Sequence, residues 1–401
     1  MPFLPHDVVE TVIDILTQDD YPNFSSTKSC SLVCRDFLPI CRKHIFASVG
    51  IINLRRSVNP TPPYVYIHRT SSSGFKILLA TSPVIAGYIR DLKCCITAED
   101  SEDGDLIAAL KKITNLRSLT IFDVIGPSFR NWNTSQFRHA VVRLFRLHTF
   151  TDLSLHSGVE DFVIADLPPN LKNFKFDALF VLPYSAPHPP SSPIKIHTMT
   201  IGWGCESSIE QLCRARFEDG GPFIDFTNLN SLEITLFGSD DFKALQQLLQ
   251  HCTGLVYLSI RSYEVWVPLA GLHKALFPSM HTFKHIQIET ILERDDTDPY
   301  CGIADELESM SNKNVIEFID IYIAISTDAE RITGDEWGRL DTILTQSSWP
   351  HLQGVSLTII IISHVRREDT FKEELTKMAR IQFSGLSSRE SVSFEFNVDE
   401  H

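Results

Sequence analysis

The chain has 401 residues, and its 50 acidic against 36 basic side chains leave a formal charge of −14. That balance argues against nonspecific nucleic-acid binding, which needs a basic footprint, and apolar residues at 43% argue against disorder. The length allows two or three domains, or one small domain attached to an elongated one.

No Lys or Arg precedes Lys28, and Asp7, Glu10 and Asp14 interrupt the first apolar stretch. Neither a secretory signal nor a mitochondrial presequence is expected from such a start. The run Leu357–Ile362 is too short to cross a bilayer, and its β-branched content suits a buried strand. Nine cysteines, an odd number, read as reduced and intracellular, which places the chain in the cytoplasm or nucleus. The sequons at Asn23 and Asn133 then read as chance matches.

Pro5 forces Leu4 to be extended and is itself suited to a first helical turn. Val8, Val12 and Leu16 recur at helical spacing with Val9, Ile13 and Ile15 beside them, so this helix is apolar around more than half its circumference. Residues 19–23 break it. Cys30, Cys34 and Phe37 share helical spacing, a break is expected at Pro39, and a short last helix carries Ile40, Ile45, Phe46 and Val49. Three such helices hide their apolar surface poorly alone and call for a partner or for the following domain. Cys30, Cys34, Cys41 and His44 raise the thought of zinc, but they fall on helices among core positions, where small buried cysteine is the commoner use. No metal or cofactor is expected.

Leu4-Pro5-x-Asp7-Val8, then Ile13 and Leu16, then Ser31-Leu32-Val33-Cys34-Arg35-x-Phe37, then Ile45-Phe46 resemble the F-box of fungal F-box proteins over about residues 3–49. Phe24–Ser29 is polar where that family is leucine-rich. The resemblance implies a three-helix unit docking on the Skp-type adaptor, and through it on cullin, with Leu4, Pro5, Val8, Leu32 and Val33 at or near the contact.

Residues 57–73, with Pro60, Pro62, Pro63 and Ser71–Ser73, read as a linker. Beyond it a unit recurs: an apolar residue, two others, an apolar residue, one other, an apolar residue. Ile89/Leu92/Cys94, Leu116/Leu119/Ile121, Phe150/Leu153/Leu155, Leu171/Phe174/Phe176 and Ile196/Met199/Ile201 show it. Leu229/Leu232/Ile234, Leu255/Leu258/Ile260, Phe283/Ile286/Ile288, Ile316/Ile319/Ile321 and Leu352/Val355/Leu357 continue it, with gaps of 21 to 36 residues. Helical periodicity fills several intervals, as after Asp105, after Asp240-Asp241 and after Gly334-Asp335. Short strand, loop, helix and return resemble a leucine-rich-repeat solenoid. None of the ten units has the Asn or Cys of that consensus eight residues after its start, so the likeness is to the irregular arrays of fungal F-box proteins. An ordinary α/β domain with similar strands is the alternative.

The proline-rich run 181–193 reads as an insertion loop and Glu99–Asp105 as a solvated acidic loop. Asp295, Asp296 and Asp298 lack the Gly and distal Glu of a calcium loop. No P-loop, complete dinucleotide turn, nucleophile elbow or His-Glu-x-x-His helix occurs, and no catalytic residue is expected. The chain is read as α/β: a three-helix F-box over 1–50, a linker over 51–85, and an irregular leucine-rich-repeat-like solenoid over 86–401 with short parallel strands and intervening helices. The expected role is a non-catalytic substrate adaptor of a Skp–cullin–F-box ubiquitin ligase, binding a protein substrate through residues that stay unknown, with no nucleic acid or membrane partner. The alternative role is a scaffold outside the ubiquitin system, its helical unit only capping the solenoid.

Overall fold

The computed structural model describes residues 5–19, 24–52, 69–123, 136–156, 162–177, 181–182, 192–204, 206–262, 267–292, 298–300, 302–325, 335–362 and 370–400. Leu4, both sequon asparagines, most of residues 57–73, most of the proline-rich run, Asp295 and Asp296 lie outside them.

Three helices open the chain: α1 (His6–Asp19), α2 (Ser25–Ser31) and α3 (Phe37–Ile45). They share a core of Val9, Ile13, Phe24, Ile40, Cys41 and Ile45, with Cys30, Phe37 and Phe46 packed against it. Two expectations are corrected here. Cys34 and Phe37 do not continue the second helix, because the chain turns over Leu32–Asp36 after Leu32 and Val33 donate their N–H groups back to Ser29 and Cys30. Pro39 does not break a helix; it sits in the first turn of α3, where a missing N–H costs nothing.

Val49, expected on the last helix, begins the strands instead. β1 (Ser48–Ile52) follows α3 after only Phe46 and Ala47. Residues up to Ile194 form one compact unit, with parallel strands in the order β6-β5-β4-β3-β1-β2. These are β2 (Arg69–Thr70), β3 (Asp91–Ile96), β4 (Ser118–Asp123), β5 (Asp152–His156) and β6 (Asn173–Phe176). Residues from Lys195 form the second unit. Its strands run in sequence order, all parallel: β7 (Thr198–Ile201), β8 (Ser231–Leu236), β9 (Tyr257–Ser262), β10 (His285–Leu292), β11 (Phe318–Ile325), β12 (Gly354–Ile361) and β13 (Ser393–Glu400). Both units are therefore mixed α/β with parallel strands, whose crossovers need the length that helices supply.

The recurring apolar triplets explain the register. In each of the ten units the second and third residues lie on a strand, and no member of any triplet is more than 4% exposed. Equivalent positions face each other: Leu92 with Leu119, Leu119 with Leu153, Leu232 with Leu258, Leu258 with Ile286, Ile319 with Val355. A slip of one residue would expose the whole set. A backbone clamp reinforces this. The carbonyl of the residue before a strand accepts two N–H groups from the start of the next, at Ala47, Arg90, Arg117 and Thr151 in the first unit. His197, Asn230, Val256, Lys284 and Glu317 do the same in the second.

The missing consensus Asn has a local explanation where the chain is described. Ile291, Ala324 and Ile360 sit inside eight-residue strands and pair laterally, so no side chain needs to satisfy a turn there. Phe237 instead donates its N–H to Asp241 Oδ2 at 2.8 Å.

Helices follow most strands. α4 (Ser72–Thr81), α5 (Ala98–Glu102), α6 (Gly104–Leu110) and α7 (Gln136–Phe145) belong to the first unit. α8 (Glu206–Arg214), α9 (Ser239–Leu249), α10 (Leu272–Leu276), α11 (Ile303–Met310), α12 (Gly338–Leu344), α13 (Thr370–Gln382) and α14 (Ser384–Ser388) belong to the second. The Ser71–Ser73 run is not loop: Ser71 Oγ caps α4 by accepting the Gly74 N–H at 3.0 Å. Glu99–Asp105 is not a solvated loop either. Thr97 and Asp100 form a reciprocal capping box on α5, and Asp103 caps α6 and meets Lys76 at 2.5 Å. The carboxylates are there to satisfy helix N-termini.

Candidate docking surface

α1 carries apolar side chains on two faces. At about 100° per residue, Val9 and Ile13 point into the three-helix core, while Val8, Val12 and Ile15 cluster on a separate arc and are exposed. Glu10 and Asp14 take the opposite flank and hold α3: Lys43 Nζ lies 2.8 Å from Glu10 Oε1, and His44 Nε2 lies 2.9 Å from Asp14 Oδ1 without the alignment of a hydrogen bond. The exposed stripe is thus left over after the helix has met its own core and its own ion pairs.

The turn after α2 adds to it. Leu32 is 87% exposed and Val33 70% exposed, more than Val8, Val12 or Ile15. The polar second helix is accounted for by its neighbours. It buries only Thr27, whose hydroxyl contacts Thr17 Oγ1 at 3.2 Å, and the aromatic packing at its start comes from Phe24 with φ of 53°. Serines cover the remaining surface at no burial cost.

Of the sequence-predicted docking residues, Pro5 and Val8 lie exposed at the start of α1, and Leu32 and Val33 lie on the exposed turn. Leu4 is outside the described residues. Val12 and Ile15 were missing from that set. Their signal was the excess of apolar residues around the circumference of α1, more than one buried face can use.

Cys41 is fully buried in the core, and burial, helped by the nearby Cys30 sulfur, holds its thiol above the ordinary cysteine range. Such a thiol is a packing group rather than a nucleophile. Among the described residues no three His, Cys, Asp or Glu side chains converge as metal ligands would, and no helix is long and apolar enough to cross a membrane.

The second unit presents a different surface. The strand positions between the buried ones form lateral side-chain rungs. On one, the Tyr257 and His285 rings meet edge-on at 5.0 Å, the Phe318 ring follows at 5.8 Å, and Gly354 comes next. A Cβ at Gly354 would sit 2.9 Å from the Phe318 ring, so glycine makes room for that ring. Tyr257 Oη donates to Gln287 Oε1 at 2.8 Å, and His285 Nε2 is 2.7 Å from Asp320 Oδ2. Compared with known proteins, the chain matches no family model and no curated protein.

Proposed function

We propose that the chain is the substrate-recognition subunit of a Skp–cullin–F-box ubiquitin ligase. The carrying observation is the exposed apolar surface of the N-terminal helices, Val8, Val12 and Ile15 together with Leu32 and Val33. A helical unit that has filled its own core keeps such surface for a partner. In this reading residues 1–50 are an F-box that docks a Skp-type adaptor, and residues 51–85 lead into a leucine-rich-repeat-like solenoid over 86–401. The in-register triplets and the carbonyl clamp support the repeat reading, because each strand is satisfied by its neighbours alone. The rungs between the triplets supply side chains that can vary without disturbing the core, and the substrate would be held there. Catalysis belongs to the other subunits; this chain raises the effective concentration of a substrate lysine near the ubiquitin carrier. The compartment is the cytoplasm or nucleus.

A pull-down with purified Skp-type adaptor tests this. The wild-type chain binds, and Leu32→Asp/Val33→Asp loses binding while keeping its fold, because both side chains already face solvent. A folded wild-type chain that captures no adaptor would sink the proposal. One observation favours a second reading, a scaffold whose helices only cap the array: α3 runs almost directly into β1, and Val49 and Ile51 pair with Leu92 and Cys94. The same pull-down separates the two.

A further inference from the structure

We propose that a cleft at the base of β3 and β4 binds a small tetrahedral oxyanion, either phosphate or a phosphomonoester. The cleft has a volume of about 520 Å³ and is lined by Lys43, Arg90 and Arg117, with Tyr88, Asn115 and Thr149 around them. No carboxylate lines it among the described residues, although the chain as a whole carries a charge of −14.

Arg90 and Arg117 immediately precede β3 and β4, and the Arg117 N–H donates to the Arg90 carbonyl at 2.6 Å. Adjacent strands lie roughly 4.8 Å apart, so the two guanidinium side chains start side by side, and like charges in that relation repel. In the second unit one of the equivalent neighbouring pairs is Lys284 and Glu317, which form an ion pair at 2.7 Å. Arg90 and Arg117 put two cations side by side where that pair puts a cation and an anion.

Among the described residues, compensation inside the first unit is partial. Arg90 forms no direct ion pair among the described residues, although the neighbouring Asp91 attracts both Arg117 and, less strongly, Arg90. Arg117 is 68% exposed and reaches Asp152 only at 3.5 Å. That carboxylate already accepts from Thr151 Oγ1 at 2.5 Å and from Asn173 Nδ2. Lys43 is engaged by Glu10. The two guanidinium forks, the group best matched to a phosphate oxygen pair, line the cleft and can take an added anion there. The rim is held in advance: Asn115 Nδ2 donates to the Gly87 carbonyl at 2.8 Å and Thr149 Oγ1 to the Leu116 carbonyl at 2.7 Å. The volume lies within the range of small-molecule sites. This site stands independently of the adaptor reading.

The test is a phosphate titration of the full chain at constant ionic strength, followed by calorimetry and thermal melting. Phosphate binds and raises the melting temperature of the wild type, and Arg90→Gln or Arg117→Gln weakens binding about tenfold or more. Without phosphate, Arg90→Gln melts at or near the wild type, and Arg117→Gln melts somewhat lower, because Asp91 and Asp152 lose the cation beside them. Glycerol phosphate binding more tightly than inorganic phosphate identifies the ligand as a phosphomonoester, and the reverse order as the free anion. The proposal is overturned if both variants respond to phosphate as the wild type does, or if chloride at matched ionic strength gives the same rise.

Discussion

On β8 and β9, Leu232, Ile234, Leu258 and Ile260 are sealed from solvent, whereas on α1 Val8, Val12 and Ile15 stand in it. Both sets are aliphatic, and what separates them is the presence of a covering neighbour. Each strand position has an equivalent apolar residue on both sides, delivered by the next unit of the chain. Among the described residues the outer arc of α1 has none. Aliphatic residues at helical spacing therefore report an amphipathic surface, and the chain beyond them decides whether it is covered.

Leu258→Ala should break the buried side of this comparison most severely. It removes a fully buried side chain from between Leu232 and Ile286, for an expected loss of about 3 kcal/mol. Val12→Ala should leave stability within about 0.5 kcal/mol or raise it slightly, since alanine is the better helix former. Urea midpoints of the two variants check this, and equal losses would mean that the α1 face is covered after all.

Glu306 sharpens the contrast among polar groups. It is nearly buried on α11, yet it accepts the N–H groups of Gly271 and His273, at 2.7 and 2.8 Å, and contacts His273 Nδ1 at 2.6 Å. Glu306→Ala strands those donors and should cost about 2 kcal/mol, with Glu306→Gln recovering part of it. A glutamine as damaging as alanine would show that the carboxylate charge, not the hydrogen bonding, is what α10 needs.

The smallest effects come from two aspartates of the first unit that burial and pairing push in opposite directions. Burial holds Asp91 above the ordinary carboxylate range, with Arg117 opposing it and Asp152 adding to it. The hydrogen bond from Lys76 holds Asp103 below that range. Asp91 thus costs stability when ionised, and the cost disappears as the pH falls from its folded value through the unfolded one, about 4. Asp103 contributes stability above the unfolded value and loses it as the pH falls through its lower folded value. Asp91→Asn should be neutral or stabilising at neutral pH and Asp103→Asn mildly destabilising, with both differences fading in acid. Denaturation midpoints across that range check the signs, and responses of the same sign would contradict the assignment.

Much of the strand layout was legible because the triplet spacing carries its own burial pattern. Phe46/Val49/Ile51 has the same spacing, and its signal was hidden only by the apolar helix that precedes it. β13 was harder to see. Ser391 stands where an apolar start was needed, although Phe394 and Phe396 pair with Val355 and Leu357. The acidic run failed for another reason: Thr97, Asp100 and Asp103 cap short helices, and composition cannot tell a capping carboxylate from a solvated one. On the exposed helical surface, Val8, Leu32 and Val33 stand out through a motif. The exposure of Val12 and Ile15 depended on how α1 rolls against α3, which Lys43 and His44 settle from thirty residues away.

The two residues between α3 and β1 leave no slack in the chain. The N–H groups of Phe46 and Ala47 return to Arg42 and His44, and the Ala47 carbonyl is held by Arg90 and Asp91. A load applied to the helices is therefore passed straight to the first strands, as through a welded bracket. Whatever shifts α3 is felt at β1 and β3 as well, because the same short stretch of backbone is bonded to both.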